Sequence, residues 1–454
     1  MALPSASAIR KSLGNTLYQI TSAFVDMSRK TPLDETDWSA HLDHEGRLLD
    51  PQELWVIVFN WGVVPGLRKM VWQHLLNIFP PDLTKTEREQ YLTMKSKVYS
   101  HMKSLWQKPA GFSRSEFVRD MVWKDVRRTD RTYPYYDVPD EHEHLVSLFN
   151  VLVTYALMNP DVSYAQGMSD LAAPLLVVMD DEAVAFTCFS ALMTRCKGHF
   201  LPDGKAMSLK FEHLSLLVQK VDPELYKCLL SVEADDMFFC YRWLVLDLKR
   251  EFQFDDALRV VEVIWSSLLP PPPSDAVQSS GKAFNTVTQR CDNSTAVLRS
   301  RGYTSLPYLY KSRVNDDSFD DEDEDECSML NINDFGGKLE LVSLPDPYHL
   351  GDGNPFSLFL CLAILVLHRD RALQEQDYNS LASSFDKMVR KHEADKVLSK
   401  ARQLYSRYLS QCEVVDNNEF VPLRKEQNGP RQNGSWFDDN SCEFVSNNSQ
   451  VVQC

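Results

Sequence analysis

The sequence predicts an all-α protein: a single multi-helix domain, interrupted by a long disordered acidic insertion and followed by a disordered C-terminal tail. Three observations predict it. Apolar residues recur at i, i+3, i+4 spacing through residues 51–269, the period that paints one helix face. Apolar–polar alternation bounded by Asn-Gly or Asp-Gly turns, the mark of hairpins, is scarce. The composition then breaks at the four prolines Pro270–Pro273, and helical patterning resumes only at Asn354.

Taken in order, residues 1–50 predict a partly ordered N-terminal segment: a weakly amphipathic piece, then a polar stretch. Residues 51–269 predict the main part of the domain. Leu145, Leu148, Phe149, Leu152 and Ala156 define one helix, stopped by Asn159-Pro160. Phe239, Trp243, Leu246 and Arg250 lie on one side of another, and Val260, Val261, Ile264 and Trp265 mark a third. The prolines at 270–273 end that helix, because proline donates no intrahelical hydrogen bond. Residues 270–353 are rich in Ser, Asp, Asn and Gly, and Asp316–Glu326 holds nine carboxylates in eleven positions. Such a run repels itself and buries little apolar surface, so disorder is the expectation.

From 354 to 412 helices return, with Asn354 as an N-cap and Pro355 in the first turn. The twelve-residue run Phe356–Leu367 is short of the roughly 20 residues a membrane span needs. A helix this apolar cannot stand alone in water, so residues 354–412 are expected to pack back on the 51–269 bundle. The tail, 413–454, is polar and rich in Asn and Gln, and is expected to be disordered. A membrane anchor through Phe356–Leu367 is the competing reading; it predicts pelleting with membranes without any partner.

A net charge of −16 argues against a nucleic-acid-binding surface, which needs a Lys/Arg excess. The ten cysteines form no CxxC pair and no zinc-type cluster, which indicates a reducing compartment and a cytoplasmic chain. The sequons at Asn293 and Asn433 then carry no glycan. The phosphate-binding G-x-x-x-x-G-K-[ST] loop is absent, as are HExxH, GxSxG and a kinase glycine loop. The chain therefore does not hold a nucleotide that way.

Two polar stretches remain. Met121–Tyr136 carries Lys124, Arg127, Arg128 and Arg131, interleaved with Asp125 and Asp130; in a helix Asp125 reaches Arg128 at i+3. Ser163–Asp170, SYAQGMSD, places Gln166-Gly167 between two apolar runs. Alone, each is a solvated charged turn or a helix-end amide. Together they supply what GTP hydrolysis on a partner protein needs. An arginine inserted in trans stabilises charge on the transferring phosphoryl group and accelerates hydrolysis by about 10³–10⁵. Guanidinium suits phosphate because it stays charged and presents a planar fork. A carboxamide can accept from the attacking water while donating to phosphate.

In four segments the sequence resembles the TBC-domain family of Rab GTPase-activating proteins. They are WGVVPGLRKMVW (Trp61–Trp72), VWKDVRR (Val122–Arg128), YAQG (Tyr164–Gly167) and FFCYRWLVLDLKREF (Phe238–Phe252). The resemblance implies that Arg128 is an arginine finger and Gln166 a glutamine finger. It implies that Asp125 orients the arginine segment, that Tyr164 and Gly167 shape the glutamine loop, and that Arg68 and Trp72 pack the first helices. It implies a Rab GTPase in its GTP form as partner. GTP and Mg²⁺ come with that partner, so no cofactor belongs to this chain. Similarity beyond the common domain, in GNPFSLFLCLAILVLHRD among others, points to an autophagy-associated branch. That implies peripheral association with vesicles or autophagosomes and binding of Atg8-type proteins. The branch carries its Atg8 motif in a longer N-terminal region, and WVIV (Trp55–Val58) falls where a bundle helix is expected. The alternative function is a helical scaffold that binds a Rab or vesicle protein without accelerating hydrolysis.

Overall fold

Several helices begin at a side-chain cap. Asp34 and Thr84 each close a reciprocal capping box, with Asp37 and Glu87 respectively, which satisfies backbone N–H groups that a helix start leaves open. These residues start α1 (Glu35–Ala40) and α4 (Lys85–Gln107). Between them lie α2 (Pro51–Trp61) and α3 (Arg68–Leu75). The bundle continues through α5 (Ser115–Val126), α6 (Glu143–Met158), α7 (Met168–Met179), α8 (Glu182–Cys196), α9 (Lys205–Val221), α10 (Pro223–Ser231), α11 (Tyr241–Val245) and α12 (Phe254–Ser266). After a long intervening segment come α13 (Pro355–Leu367), α14 (Arg369–Ala372), α15 (Tyr378–Asp386) and α16 (Ala394–Asp416).

This computed structural model describes residues 31–80, 82–108, 115–267, 344–345 and 349–416. The fold is all-α, as the sequence predicts: among the described residues β structure is confined to the isolated bridges Leu33–Val63 and Leu42–Leu48. The first 30 residues, the acidic run at 316–326 and the tail beyond 416 lie outside the described residues. The chain divides into two units, residues 1–413 and 414–454; the bundle core and the candidate site belong to the first.

The centre of the bundle is α6, which packs against α4, α5, α7 and α8. Leu145, Leu148, Val151, Leu152 and Ala156 on it are buried, each contributing about 1.5–3 kcal/mol if it is a full-sized aliphatic side chain. Its buried polar groups are satisfied. Thr154 accepts from Trp106 Nε1 (2.9 Å), and Asn150 donates to Glu182 (3.1 Å). Five described cysteines, Cys188, Cys196, Cys228, Cys240 and Cys361, carry free thiols.

Arg68 and Trp72, expected to pack the first helices, converge on α12. Glu262 is fully buried and accepts from Arg68 Nε (3.1 Å), Trp72 Nε1 (3.0 Å) and the Val63 backbone N–H (3.2 Å). Three donors make burial of this carboxylate tolerable and fasten the N-terminal helices to the last helix before the intervening segment. Trp72 also meets Trp265 edge to face, with centroids 4.8 Å apart.

The helix expected through Phe239, Trp243, Leu246 and Arg250 is broken. A 3-10 turn (Phe238–Cys240), α11 and a second 3-10 turn (Lys249–Glu251) replace it, with Asp247 and Leu248 in the left-handed region. The break redirects Lys249 and Arg250 inward, toward Asp130 and Asp170.

Packing of the C-terminal segment begins before Asn354: Leu350 is buried and the Gly351 N–H donates to His213 Nδ1 (2.9 Å). Asn354 occupies the N-cap position, but its side chain makes no capping bond and Oδ1 is buried without a partner. The apolar helix α13 is buried from Pro355 to Leu365. Phe356 meets Phe59 of α2 edge-on (4.8 Å), and Arg402 of α16 donates twice to the Phe59 carbonyl (3.0 and 2.6 Å). Among the described residues no helix is long and apolar enough to cross a membrane. Trp55 and Val58 point into the core from α2, so WVIV is not an exposed peptide.

Candidate functional site

One carboxylate joins the two candidate loops. Asp125 sits near the C-terminal end of α5, where the chain leaves the helix into the turn that carries Arg128. Its Oδ1 accepts from Arg128 Nε (3.0 Å) and Nη2 (2.6 Å), and its Oδ2 accepts from the Tyr164 hydroxyl (2.6 Å). Beside it the Thr129 hydroxyl donates to the Asp125 carbonyl (2.8 Å) and pairs with Ser169 Oγ (2.8 Å). Residues 125–129 and 164–169 are therefore stitched at two points. Burial, and then the Asp125 charge, push the Tyr164 phenol far above its ordinary value, so this hydroxyl keeps its proton and donates.

The cations of Met121–Tyr136 sort by partner. Arg127 Nε (2.5 Å) and Arg131 Nη1 (3.4 Å) both pair with Asp140. Lys124 is exposed. Arg128 is 56% exposed while its partner Asp125 is 8% exposed; the carboxylate is the fixed element and the guanidinium the presented one. Gln166 is exposed as well, between buried Tyr164 and buried Gly167.

Gly167 is the residue before α7 and has φ +98°, a left-handed value. A Cβ there would lie 2.7 Å from Leu246 Cδ2. Both facts require glycine. Gly167→Ala is therefore expected to destabilise the protein by about 1–3 kcal/mol, read as a lower melting temperature. Adding Leu246→Ala removes the clash but not the backbone strain. The double variant is not expected to return to wild-type stability once the cavity at 246 is counted. A Gly167→Ala chain that melts like wild type would mean that neither strain nor clash is felt at this position.

A buried ion network lies behind the loops. Lys249 (3% exposed) pairs with Asp130 and with Asp170 (3.3 Å). Asp130 follows Arg128 by two positions and Asp170 follows Gln166 by four. Arg250 donates to both oxygens of Asp170, Nε at 3.0 Å and Nη2 at 2.7 Å. Arg390 donates to Asp130 Oδ1 at 3.1 Å. Burial opposes charge on Asp170, but Lys249 and Arg250 outweigh it and hold its carboxyl below the ordinary value. Sequence patterning assigns no role to Asp130, Asp170, Lys249, Arg250 or Arg390. One signal exists: Lys249-Arg250 stands inside the motif-like LKREF segment, and two basic residues there need buried acids.

The geometry combines an exposed guanidinium, an exposed carboxamide, one carboxylate between their loops and a buried salt-bridge network beneath. Among the described residues no group of acidic, His or Cys side chains is arranged to hold a metal ion.

Known proteins share this architecture. Residues 65–269 match the Rab-GTPase-TBC domain. TBC1 domain family member 25 of Homo sapiens is 38% identical, with 92% of this chain and 75% of that protein covered. GTPase-activating protein GYP7 of Yarrowia lipolytica is 32% identical across 58% of this chain and 39% of its own length. The crystal structure of the Ypt/Rab-GAP domain of Gyp1p shares the fold, with a TM-score of 0.56 at 17% identity, covering 87% of this chain and 99% of that one. On the matched domain and on relatives aligned over most of its length, this chain belongs to the Rab-GTPase-TBC domain family.

Proposed function

We propose that this chain is a GTPase-activating protein for a Rab-family GTPase, acting where such GTPases direct vesicle traffic. The partner brings GTP and Mg²⁺. Arg128 enters beside the γ-phosphate, where its fork neutralises charge developing on the transferring group. Gln166 orients the attacking water, accepting from it and donating to phosphate. Asp125 is the positioning residue for both, through Arg128 and Tyr164. A nucleotide-binding partner supplies everything these side chains lack, and they supply a charge and a water-orienting amide.

The observation that carries this reading is the shared carboxylate. It ties the turn that carries exposed Arg128 to the loop that carries exposed Gln166, 38 positions onward, which supports their acting together. The Arg128–Asp125 pair does not trap the finger. A half-exposed ion pair is worth at most about 1 kcal/mol, against roughly 4–7 kcal/mol for a finger in the transition state. Phe117 supports a partner on this side: it is 71% exposed on α5, on the i, i+4, i+7 row with Met121 and Lys124 that leads to Arg128.

Association with autophagosomes through the partner, and binding of an Atg8-type protein, extend the same reading; the Trp55–Val58 segment, helical with Trp55 and Val58 buried, does not serve the second. Single-turnover hydrolysis with a panel of GTP-loaded Rab proteins tests the proposal. Acceleration of at least one by the wild-type chain is expected. Failure with every member would leave the helical scaffold reading instead.

A further inference from the structure

We propose that Arg390 is a positioning residue for Arg128, supplied by the helical chain that returns after the intervening segment. The matched domain ends at residue 269; Arg390 follows α15, well past the intervening segment. This inference rests on the GTPase-activating reading of the site.

Arg390 has φ +61°, a left-handed conformation that is unfavourable for a long side chain and persists where surrounding bonds enforce it. Four bonds do so. Its backbone N–H donates to the Arg250 carbonyl (3.2 Å), and its own carbonyl accepts from Gln253 Nε2 (2.8 Å). Its guanidinium donates through Nη1 to Thr132 Oγ1 (2.6 Å) and through Nη2 to Asp130 Oδ1 (3.1 Å). One residue thus clamps the turn after Arg128 onto the segment whose Arg250 holds Asp170 of the glutamine loop.

The clamp adds a tie to the C-terminal helices to the bonds that Thr129, Arg131 and Lys249 already give this turn. Residues 127–132 leave α5 without forming a helix, and Asp130 is itself left-handed at φ +49°. Asp130 Oδ2 faces Lys249 and Oδ1 faces Arg390, so its carboxylate has a partner on each side. Removing Arg390 frees one oxygen of Asp130 and the Thr132 hydroxyl together. A finger must be held within about 0.5 Å to be effective, and a shift of about 1 Å can cost about 10²-fold.

The test uses the full chain with Arg390→Ala, Arg390→Lys, Arg128→Ala and the Arg128→Ala/Arg390→Ala double variant. Single-turnover hydrolysis is followed for a GTP-loaded Rab that the wild-type chain accelerates. Arg390→Ala is expected to lower the saturating rate by about 10- to 100-fold and to leave the half-saturating concentration within about two-fold. Lysine at 390 restores part of the rate, since it reaches Asp130 but cannot also fork to Thr132. In the Arg128→Ala background Arg390→Ala has no further effect. Amide exchange quickens across 127–132 and not in α6. Arg390→Ala at the wild-type rate overturns the inference while the wild-type activity stands. So does an equal fold-loss in both backgrounds, which marks a merely structural role. Wild-type inactivity on every Rab defeats the proposed function and this inference with it. Unchanged exchange at 127–132 refutes the clamp whatever the activity.

Discussion

Replacing Arg128 with alanine is expected to lower the saturating rate of partner GTP hydrolysis by about 10³-fold or more, because the finger alone supplies that factor in trans-activated GTPases. Stability should fall only modestly. The guanidinium is 56% exposed, but Asp125 is only 8% exposed and loses two donors, so a loss of about 1–2 kcal/mol is expected, small beside the kinetic effect. Asp125 keeps its bond from Tyr164 and continues to join the loops. Partner binding should survive as well, since Arg128 acts on charge that develops only in the transition state; the loss then appears in the rate and not in the half-saturating concentration. Arg128→Lys should fail to restore activity. An ammonium keeps the charge but not the planar fork. Single-turnover rates at saturating chain decide the matter: a variant as fast as wild type would remove Arg128 from the mechanism.

The parts of this site that are legible in the sequence are those whose chemistry is local. Asp125 and Arg128 are three positions apart, so a single turn of chain at the end of α5 brings them together. Gly167 stands between a loop and an apolar helical run, and its need for a left-handed angle follows from that junction. The buried helix α13 is legible because no other environment accepts so apolar a segment. What stays hidden depends on contacts between distant positions. Tyr164 and Asp125 are 39 positions apart, Lys249 and Asp130 are 119 apart, and Arg390 and Asp130 are 260 apart. No spacing rule spans such intervals.

The break at 238–252 has the same origin. Its residues have helical spacing, and local propensity favours one continuous helix. A tertiary demand overrides it: Lys249 and Arg250 must face Asp130 and Asp170, and left-handed Asp247 and Leu248 turn them there. The strain of those two residues is offset by the buried ion pairs they make possible. Glu262 shows the converse. Arg68 and Trp72 are structural, as their motif implies, but the carboxylate they serve lies nearly two hundred positions onward, and their role is to join the ends of the main segment.

Asp170→Ala is expected to cause the largest loss of stability, about 3 kcal/mol, near the lower end for breaking a buried ion pair. Lys249 would keep Asp130, and Arg250, whose side chain is 35% exposed, could turn to water; hence the lower end. Asp170→Asn keeps the shape and one acceptor, so its loss should be smaller. The pH dependence separates charge from packing. The folded carboxyl titrates below the ordinary value, so the unfolded chain binds the proton first on acidification. The charge contribution is therefore complete above about pH 4, the ordinary aspartate range, and disappears as pH falls through the lower folded value. Denaturant unfolding at pH 7, 5 and 3 should show a constant gap between wild type and Asp170→Asn at the first two values and a narrowed one at the third. An undiminished gap at pH 3 would mean that shape, and not charge, is what Asp170 contributes. The network also has a kinetic consequence. Asp170 lies in the first turn of the helix that follows the Gln166 loop, so the Asn variant, though folded at pH 7, should hydrolyse more slowly through a looser water-orienting loop while Arg128 remains in place.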